Sequence, residues 1–70
     1  MFGKKLKECR GVKGVTQKQV AEYLDVTVTT YQRYELELSE PNIETISKLA
    51  DFFDVSLDFL FGRSDIYERK

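Results

Sequence analysis

The sequence predicts an all-α fold, a compact domain of five short helices. Apolar residues recur at intervals of three and four along most of the chain, which is the period of an amphipathic helix. Serine, threonine or asparagine, the residues that cap helices, precede four of these apolar segments. No segment carries a strand signal of substance. Together these observations predict helices and no β-sheet.

The composition is that of one small globular domain. Seventy residues bury only about 60% of the surface that the unfolded chain exposes, so the core is thin. No apolar run approaches the roughly 20 residues of a membrane span, and the N-terminal segment lacks the apolar region of a signal peptide. The single cysteine, Cys9, has no internal disulfide partner, which suits a reducing cytoplasm. We expect Cys9 to act as a small buried hydrophobic residue.

The first two helices are predicted between Phe2 and Leu24. The apolar face of the first consists of Phe2, Leu6 and Cys9, and its end is bracketed by Gly11 and Gly14. Thr16 is the predicted N-cap of the second, and Gln19 three residues later completes a capping box. The inward face of the second helix consists of Val20, Ala21 and Leu24.

Three further helices follow, each with its own predicted N-cap. The caps are Thr27, Asn42 and Ser56, and the loop 36–41 ends at the only proline. Tyr31 and Tyr34 are predicted to point inward from the third helix. The apolar residues of the other two helices are Ile43, Ile46, Leu49, Ala50 and Phe53, at helical spacing in the fourth, and Leu57 and Leu60 in the fifth. Gly62 is a natural stop. The domain is therefore expected to span 1–63, followed by a polar tail, 64–70.

The joint between the second and third helices, Asp25-Val26, contains neither glycine nor proline. Such a corner normally needs one residue in the left-handed conformation, which glycine adopts freely. Aspartate and asparagine are among the few other residues that tolerate it. The corner can therefore form without glycine, at some cost in stability.

The residues around this corner resemble the helix-turn-helix of the phage-repressor and Cro-type (XRE) regulators. The matching residues are Thr16-Gln17, Ala21, Leu24-Asp25-Val26-Thr27, Tyr31, Tyr34, Glu35, the segment Glu40 to Thr45 and the segment Val55 to Gly62. The resemblance covers about 2–62 and implies a lambda-repressor-like domain with its helix-turn-helix at about 16–36. The family usually has glycine at the position of Asp25, so the resemblance implies a left-handed Asp25, and likewise a left-handed Asp54 before the fifth helix. It implies a cytoplasmic, bacterial or phage-encoded protein that regulates transcription as a dimeric repressor. Its recognition helix, 28–36, would enter the major groove of a near-palindromic operator in double-stranded DNA.

The resemblance also implies which residues contact DNA: Gln17, Lys18, Thr27, Val28, Thr29, Gln32 and Arg33. Arg33 suits guanine, Gln32 suits adenine, and the methyl groups of Val28 and Thr29 suit thymine. Gln17 would hold a phosphate at the start of its helix. From the residues alone, an ordinary polar helix face explains Gln32 and Thr29 equally well.

Two structural roles follow from the same resemblance. Arg10 and Glu35 are expected to form a partly buried ion pair between the first helix and the end of the third. The dimer contact is expected to involve Leu36, Leu38, Phe59 and Phe61. The alternative for Leu38 and Phe59 is that they merely complete the core.

The charge distribution leaves a second function open. Residues 1–33 hold seven Lys/Arg and three Asp/Glu, a net charge of +4, whereas 34–70 hold four and nine, a net charge of −5. The acidic half and the loop leucines favour a protein-interaction module on the same scaffold, such as an antitoxin or anti-repressor. No histidine is present. No nucleophile-base pair or metal motif occurs, so we expect no enzyme activity, no cofactor and no metal.

Overall fold

The structure is a computed structural model that describes residues 2–61, and this part of the chain folds into five helices. They are α1 (Phe2–Lys13), α2 (Gln17–Leu24), α3 (Val28–Glu35), α4 (Ile43–Phe53) and α5 (Leu57–Leu60). The predicted all-α class is confirmed. None of the helices between residues 2 and 61 has the length and apolar character needed to cross a membrane. The predicted stop at Gly62 and the tail 64–70 lie outside the described residues.

The helices enclose one core. α1 packs against α3, α4 and α5, while α2 packs against α3 and α4. The core residues are Leu6, Cys9, Val20, Ala21, Leu24, Tyr31, Tyr34, Ile46, Leu49, Ala50, Phe53, Val55, Phe59 and Leu60. Most of the inward positions predicted from helical spacing are therefore confirmed. Ala21 is 1% exposed between α2 and its neighbours, where a small side chain allows close packing.

Two apolar residues of the predicted fourth and fifth helices are on the surface. Ile43 is 83% exposed and Leu57 is 44% exposed. Each is the first residue of its helix, directly after the N-cap, and the buried residues of both helices come later along the chain. In α5 the buried position beside Leu60 belongs to Phe59.

All four predicted N-caps are confirmed. The side-chain oxygens of Thr16, Thr27, Asn42 and Ser56 accept hydrogen bonds from the backbone N–H three residues later, at 3.1, 3.1, 2.8 and 3.0 Å. Gln19 Oε1 in turn accepts from the backbone N–H of Thr16 at 2.8 Å, which completes the predicted capping box. Caps of this kind each stabilise a helix by about 1 kcal/mol.

The first four helices share one C-terminal arrangement. Each is followed by a residue with positive φ: Gly14 (74°), Asp25 (60°), Glu37 (60°) and Asp54 (56°). The N–H of the next residue bonds to the carbonyl five positions earlier, as in a Schellman motif. These bonds run from Val15 to Arg10 (3.2 Å), Val26 to Ala21 (3.0 Å), Leu38 to Arg33 (2.9 Å) and Val55 to Ala50 (3.1 Å). The left-handed conformations predicted for the two aspartates are confirmed.

This arrangement explains the short joint between α2 and α3. Asp25 turns the chain in the left-handed conformation, and Val26 then packs its side chain against the core. Val15 and Val55 do the same after α1 and α4. Leu38 is the exception, because it follows α3 yet is 61% exposed. The three residues between α2 and α3, Asp25 to Thr27, therefore suffice to set α3 at a fixed angle to α2.

Candidate nucleic-acid interface

The outward face of α3 is polar and exposed. Thr29, Gln32 and Arg33 lie on this face, while Tyr31 and Tyr34 are buried on the other. Val28 departs from the expectation of a fully outward residue, because it is only partly exposed and packs against the core. It precedes Tyr31 by three positions and so lies at the edge of the buried face.

Thr27 begins α3 and is engaged within the protein. Its Oγ1 accepts the hydrogen bond from the Thr30 backbone N–H, and its hydroxyl donates to Thr30 Oγ1 at 2.9 Å. Thr27 thus fixes the start of the helix, and its hydroxyl proton is engaged in the hydrogen bond to Thr30.

Arg10 and Glu35 form a two-point ion pair that joins α1 to the end of α3. Arg10 Nε donates to Glu35 Oε2 at 2.6 Å, and Arg10 Nη2 donates to Glu35 Oε1 at 3.1 Å. The side chains are 20% and 5% exposed, so the carboxylate is the more buried partner. Paired hydrogen bonds of this kind fix geometry as well as adding energy. The pair therefore holds the last turn of α3 in place.

The environment favours the charged form of both partners. Burial alone would raise the pKa of Glu35, but hydrogen bonds from Arg10 and Gln17, with the nearby Tyr31 hydroxyl, outweigh burial and lower it. The hydrogen bond to Glu35 raises the pKa of Arg10. The Tyr31 hydroxyl is buried and meets no hydrogen-bond partner at proper geometry among the described residues. Its burial raises its pKa, and it stays a neutral phenol beneath the pair.

A row of hydrogen bonds leads from this pair to the exposed face of α3. Gln17 Nε2 donates to Glu35 Oε1 at 3.1 Å. Gln32 Nε2 donates to Gln17 Oε1, also at 3.1 Å. Two residues predicted to contact DNA are therefore in contact with each other. Lys18, next to Gln17, has an exposed side chain.

An open groove of about 680 Å³ runs beside these side chains. Its lining comprises Lys7, Arg10, Val15, Thr16, Gln17, Gln32, Glu35 and Leu36. Lys7 was not among the residues predicted from the sequence. Its position three residues before Arg10 on α1 places both on one helix face, and that spacing could have revealed it. The groove thus places the positive charge of Lys7 next to the partly buried amide of Gln17 and the exposed amide of Gln32.

Arg33 lies at the other end of the exposed face and is tied to the following loop. Its Nε donates to Ser39 Oγ at 3.1 Å, and its Nη2 donates to the Leu38 carbonyl at 3.4 Å. Arg33 is exposed, so these bonds compete with water. Contact with guanine would require Arg33 to exchange one or both of them.

The residues expected at a dimer contact fall into different places. Leu36, 67% exposed, lines the groove beside Gln32. Phe61, 45% exposed, stacks on Phe2 with ring centroids 6.5 Å apart and lines a separate cleft of about 200 Å³. Phe59 is 2% exposed and belongs to the core, which is the alternative given for it and not the dimer contact. The exposed apolar residues of the set are thus Leu36, Leu38 and Phe61.

Comparison with known proteins places this arrangement in a family. The sequence model of the helix-turn-helix family matches residues 6–60. The SPbeta prophage-derived uncharacterized HTH-type transcriptional regulator YonR of Bacillus subtilis is 43% identical over 60 residues, which cover 86% of this chain and 56% of that protein. The HTH-type transcriptional regulator ImmR of the same organism is 36% identical over 68 residues, covering 97% and 54%.

A third similar protein is the cryptic phage CTXphi transcriptional repressor RstR of Vibrio cholerae. It is 34% identical over 65 residues, which cover 93% of this chain and 59% of that protein. The chain thus spans about half the length of these curated relatives. No solved structure gives a significant match. The family match spans most of the described residues, and together with these identities it shows that the chain belongs to the XRE-type helix-turn-helix family.

Proposed function

We propose that this protein binds double-stranded DNA in a sequence-specific manner and regulates transcription as a dimeric repressor. The observation that carries the proposal is the outward face of α3, where Gln32 and Arg33 are exposed on a helix held by the Arg10–Glu35 ion pair. A helix so held can enter a major groove in one orientation. The similar proteins named as transcriptional regulators, one of them a phage repressor, support it.

The proposed contacts divide into two kinds. Thr29, Gln32 and Arg33 would meet base edges, with Val28 and Thr27 at the start of the helix close to the DNA. Lys7, Lys18 and the backbone N–H groups at the start of α2 would meet phosphates, beside the groove that Gln17 lines.

The experiment is a fluorescence anisotropy titration against the duplex upstream of the protein's own gene and against a scrambled duplex, at two salt concentrations. We expect tight binding to the first duplex only, with loss in Gln32→Ala and Arg33→Ala. Lys48→Ala is the matched control, because it removes one positive charge from α4, where Lys48 meets only Glu44 at 3.9 Å among the ion pairs of the described chain. Weak binding to both duplexes that salt abolishes and the α3 variants leave unchanged would contradict the proposal.

The dimer would form through the exposed apolar residues Leu38 and Phe61. These side chains are 61% and 45% exposed, and burial in a two-fold contact would remove them from water. Sedimentation of the wild type and of Leu38→Ser tests this, with Ile43→Ser as the control for loss of an exposed apolar residue elsewhere. If the dimer persists in Leu38→Ser, the two-fold contact does not depend on Leu38 in the loop after α3.

A second candidate function is a protein-interaction module of the antitoxin or anti-repressor type. The same exposed leucines favour it, because Leu36, Glu37 and Leu38 occupy the position where phosphate-binding groups would help DNA binding. A protein that stays monomeric and binds neither duplex, yet binds a protein encoded by the neighbouring gene through Leu38, would favour this function over the first.

A further inference from the structure

The hydrogen bonds among Glu35, Gln17 and Gln32 have a direction that chemistry imposes. An ionised carboxylate can only accept hydrogen bonds. Glu35 Oε1 accepts from Arg10 Nη2 and from Gln17 Nε2, each at 3.1 Å. Gln17 must therefore turn its NH₂ group toward Glu35. The opposite amide orientation would place two acceptor oxygens against each other in a nearly buried position.

The orientation of Gln17 determines that of Gln32. With its NH₂ group used on Glu35, Gln17 offers its carbonyl oxygen on the other side of the amide. That oxygen accepts from Gln32 Nε2 at 3.1 Å. Gln32 thus has its NH₂ group toward Gln17, and it keeps one N–H and its Oε1 for another partner.

We propose that Glu35, acting through Gln17, sets the amide orientation of Gln32 and so gives that residue its preference for adenine. The proposal rests on the proposed function, since it needs α3 in the major groove. Adenine offers N7 as an acceptor and the N6 amino group as a donor, which together match one N–H and one Oε1 of a glutamine. Gln17 and Glu35 are positioning residues in this scheme, and neither needs to touch the base.

Without Gln17, the terminal amide of Gln32 would lose its preferred orientation. The last torsion of a glutamine is broad, so an exposed and unsupported amide samples both orientations. In the reversed or rotated orientation it presents N–H groups to other acceptor edges, including guanine. Loss of Gln17 should therefore relax the base preference, in addition to any weakening of binding.

This role differs from a phosphate contact in what it predicts. Phosphate contacts position a protein on DNA but carry no direct information on sequence. A Gln17 that only holds a phosphate would, when replaced, weaken binding to all sequences by the same factor. A Gln17 that orients Gln32 would change the ratio of affinities at one base pair.

The first experiment uses a randomised duplex pool to obtain the preferred sequence of the full chain. Gln32→Ala then identifies the base pair that Gln32 contacts, as the position whose preference disappears. Affinities for four duplexes that differ only at that base pair are compared for the wild type, Gln17→Met and Lys18→Met. Methionine keeps the length of the side chain without its amide, and the neighbouring Lys18→Met is the control for a phosphate contact.

We expect Gln17→Met to reduce the adenine preference at that base pair by about fivefold or more, the lower part of the range for one bidentate contact. Lys18→Met should lower all four affinities by one common factor. A uniform loss in Gln17→Met would overturn the orienting role while leaving the proposed function intact. A wild-type protein that enriches no sequence would overturn the proposed function, and the orienting role with it.

A second measurement needs no DNA. In the free protein, one side-chain N–H of Gln32 is bonded to Gln17. The NH₂ resonances of Gln32 should therefore be shifted from the values of an exposed glutamine and partly protected from hydrogen exchange. In Gln17→Met, and not in Lys18→Met, they should move to the values of an exposed glutamine. Resonances of Gln32 that are already those of an exposed side chain in the wild type would overturn the proposal.

Discussion

Gly3, in the first turn of α1, lies against the carbonyl group of Glu35 at the end of α3. A Cβ atom on Gly3 would lie 2.2 Å from the Glu35 carbonyl oxygen and 2.8 Å from its carbonyl carbon. Arg10 is seven residues further along α1 and thus on the same face, where it binds the carboxylate of the same glutamate. Glu35 is therefore held by α1 at both its main chain and its side chain.

Gly3→Ala is expected to destabilise the protein. The added methyl group meets backbone atoms that cannot rotate away, and such overpacking costs about 1–3 kcal/mol, against about 0.5–1 kcal/mol gained from the better helix propensity of alanine. Urea denaturation would measure the change. Gly11→Ala is the matched control, because nothing in residues 2–61 lies within 4 Å of a Cβ there, and it should gain stability. Equal stabilisation by both changes would contradict the close approach of α1 to Glu35.

The features predicted correctly from the sequence are those that neighbouring residues decide. The cap at Thr16 depends on its own hydroxyl and on Gln19 three positions away, so the pattern suffices. The left-handed Asp25 and Asp54 follow from helix ends and from the short side chain of aspartate. The inward faces of α2 and α3 follow from helical spacing alone.

The features that were missed depend on packing between distant residues. Gly3 has no local signal, because its need for a small side chain arises from Glu35, far along the chain. The contact between Gln17 and Gln32 depends on the angle between two helices, which no local pattern specifies. Phe59 and Leu57 lie two residues apart in a short helix, and the packing of α5 against α1 and α4 buries only Phe59.

Breaking the Arg10–Glu35 pair is expected to cost unequal amounts from its two sides. Arg10→Met leaves a carboxylate that is 5% exposed without its main partner, which should cost about 3 kcal/mol or more. Glu35→Leu leaves an arginine that is 20% exposed and can reach water, so we expect a loss nearer 1–2 kcal/mol, by roughly the same reasoning. Denaturation of both variants and of the double variant would measure the coupling. Additive losses would show that the two residues do not stabilise each other.

The stability of the protein is expected to fall in acid partly through Glu35. Its pKa in the folded state is lowered from the ordinary value of 4.5, because the hydrogen bonds that favour the charged form outweigh burial. The contribution of Glu35 is therefore complete above the unfolded pKa and is lost as the pH falls through the folded pKa. The free energy of unfolding should drop less in Glu35→Gln than in the wild type between about pH 5 and about pH 2. If the free energy of unfolding fell equally with pH in the wild type and in Glu35→Gln, Glu35 would have the same pKa in the folded and unfolded states.

Cys9 is expected to be unreactive in the native protein. Burial, with a smaller contribution from the charge of Glu8 and against that of Lys5, raises its pKa from 9.0 to about 11. A shift of this size lowers the thiolate fraction about 100-fold at neutral pH, and burial blocks access as well. A chromogenic disulfide reagent should react slowly in buffer and rapidly in urea, and no second cysteine in the chain complicates the signal. Rapid reaction in buffer would indicate local opening of α1.

Replacing the left-handed residues after α2, α3 and α4 by glycine is expected to be neutral or stabilising. Asp25, Glu37 and Asp54 have φ of 60°, 60° and 56°, a region that costs most L-residues about 1–2 kcal/mol. Aspartate lessens this cost through local hydrogen bonds of its short side chain, whereas glutamate does so less well. Glu37→Gly should therefore gain most, and the gain is limited because glycine also has more freedom in the unfolded chain.

The control for this prediction is alanine at the same sites. Asp25→Ala and Asp54→Ala keep the steric cost of the Cβ atom and remove the side chain that tolerates the conformation, so both should lower the melting temperature. A change of about 1 kcal/mol shifts the melting temperature of so small a domain by about 4–8 °C, which thermal unfolding followed by circular dichroism resolves. If the alanine and glycine variants melted alike, contacts of the aspartate side chains would matter more than backbone conformation at these turns. A melting temperature that rises for glycine and falls for alanine would establish that the corner between α2 and α3 needs a left-handed residue, and that aspartate serves there in place of glycine.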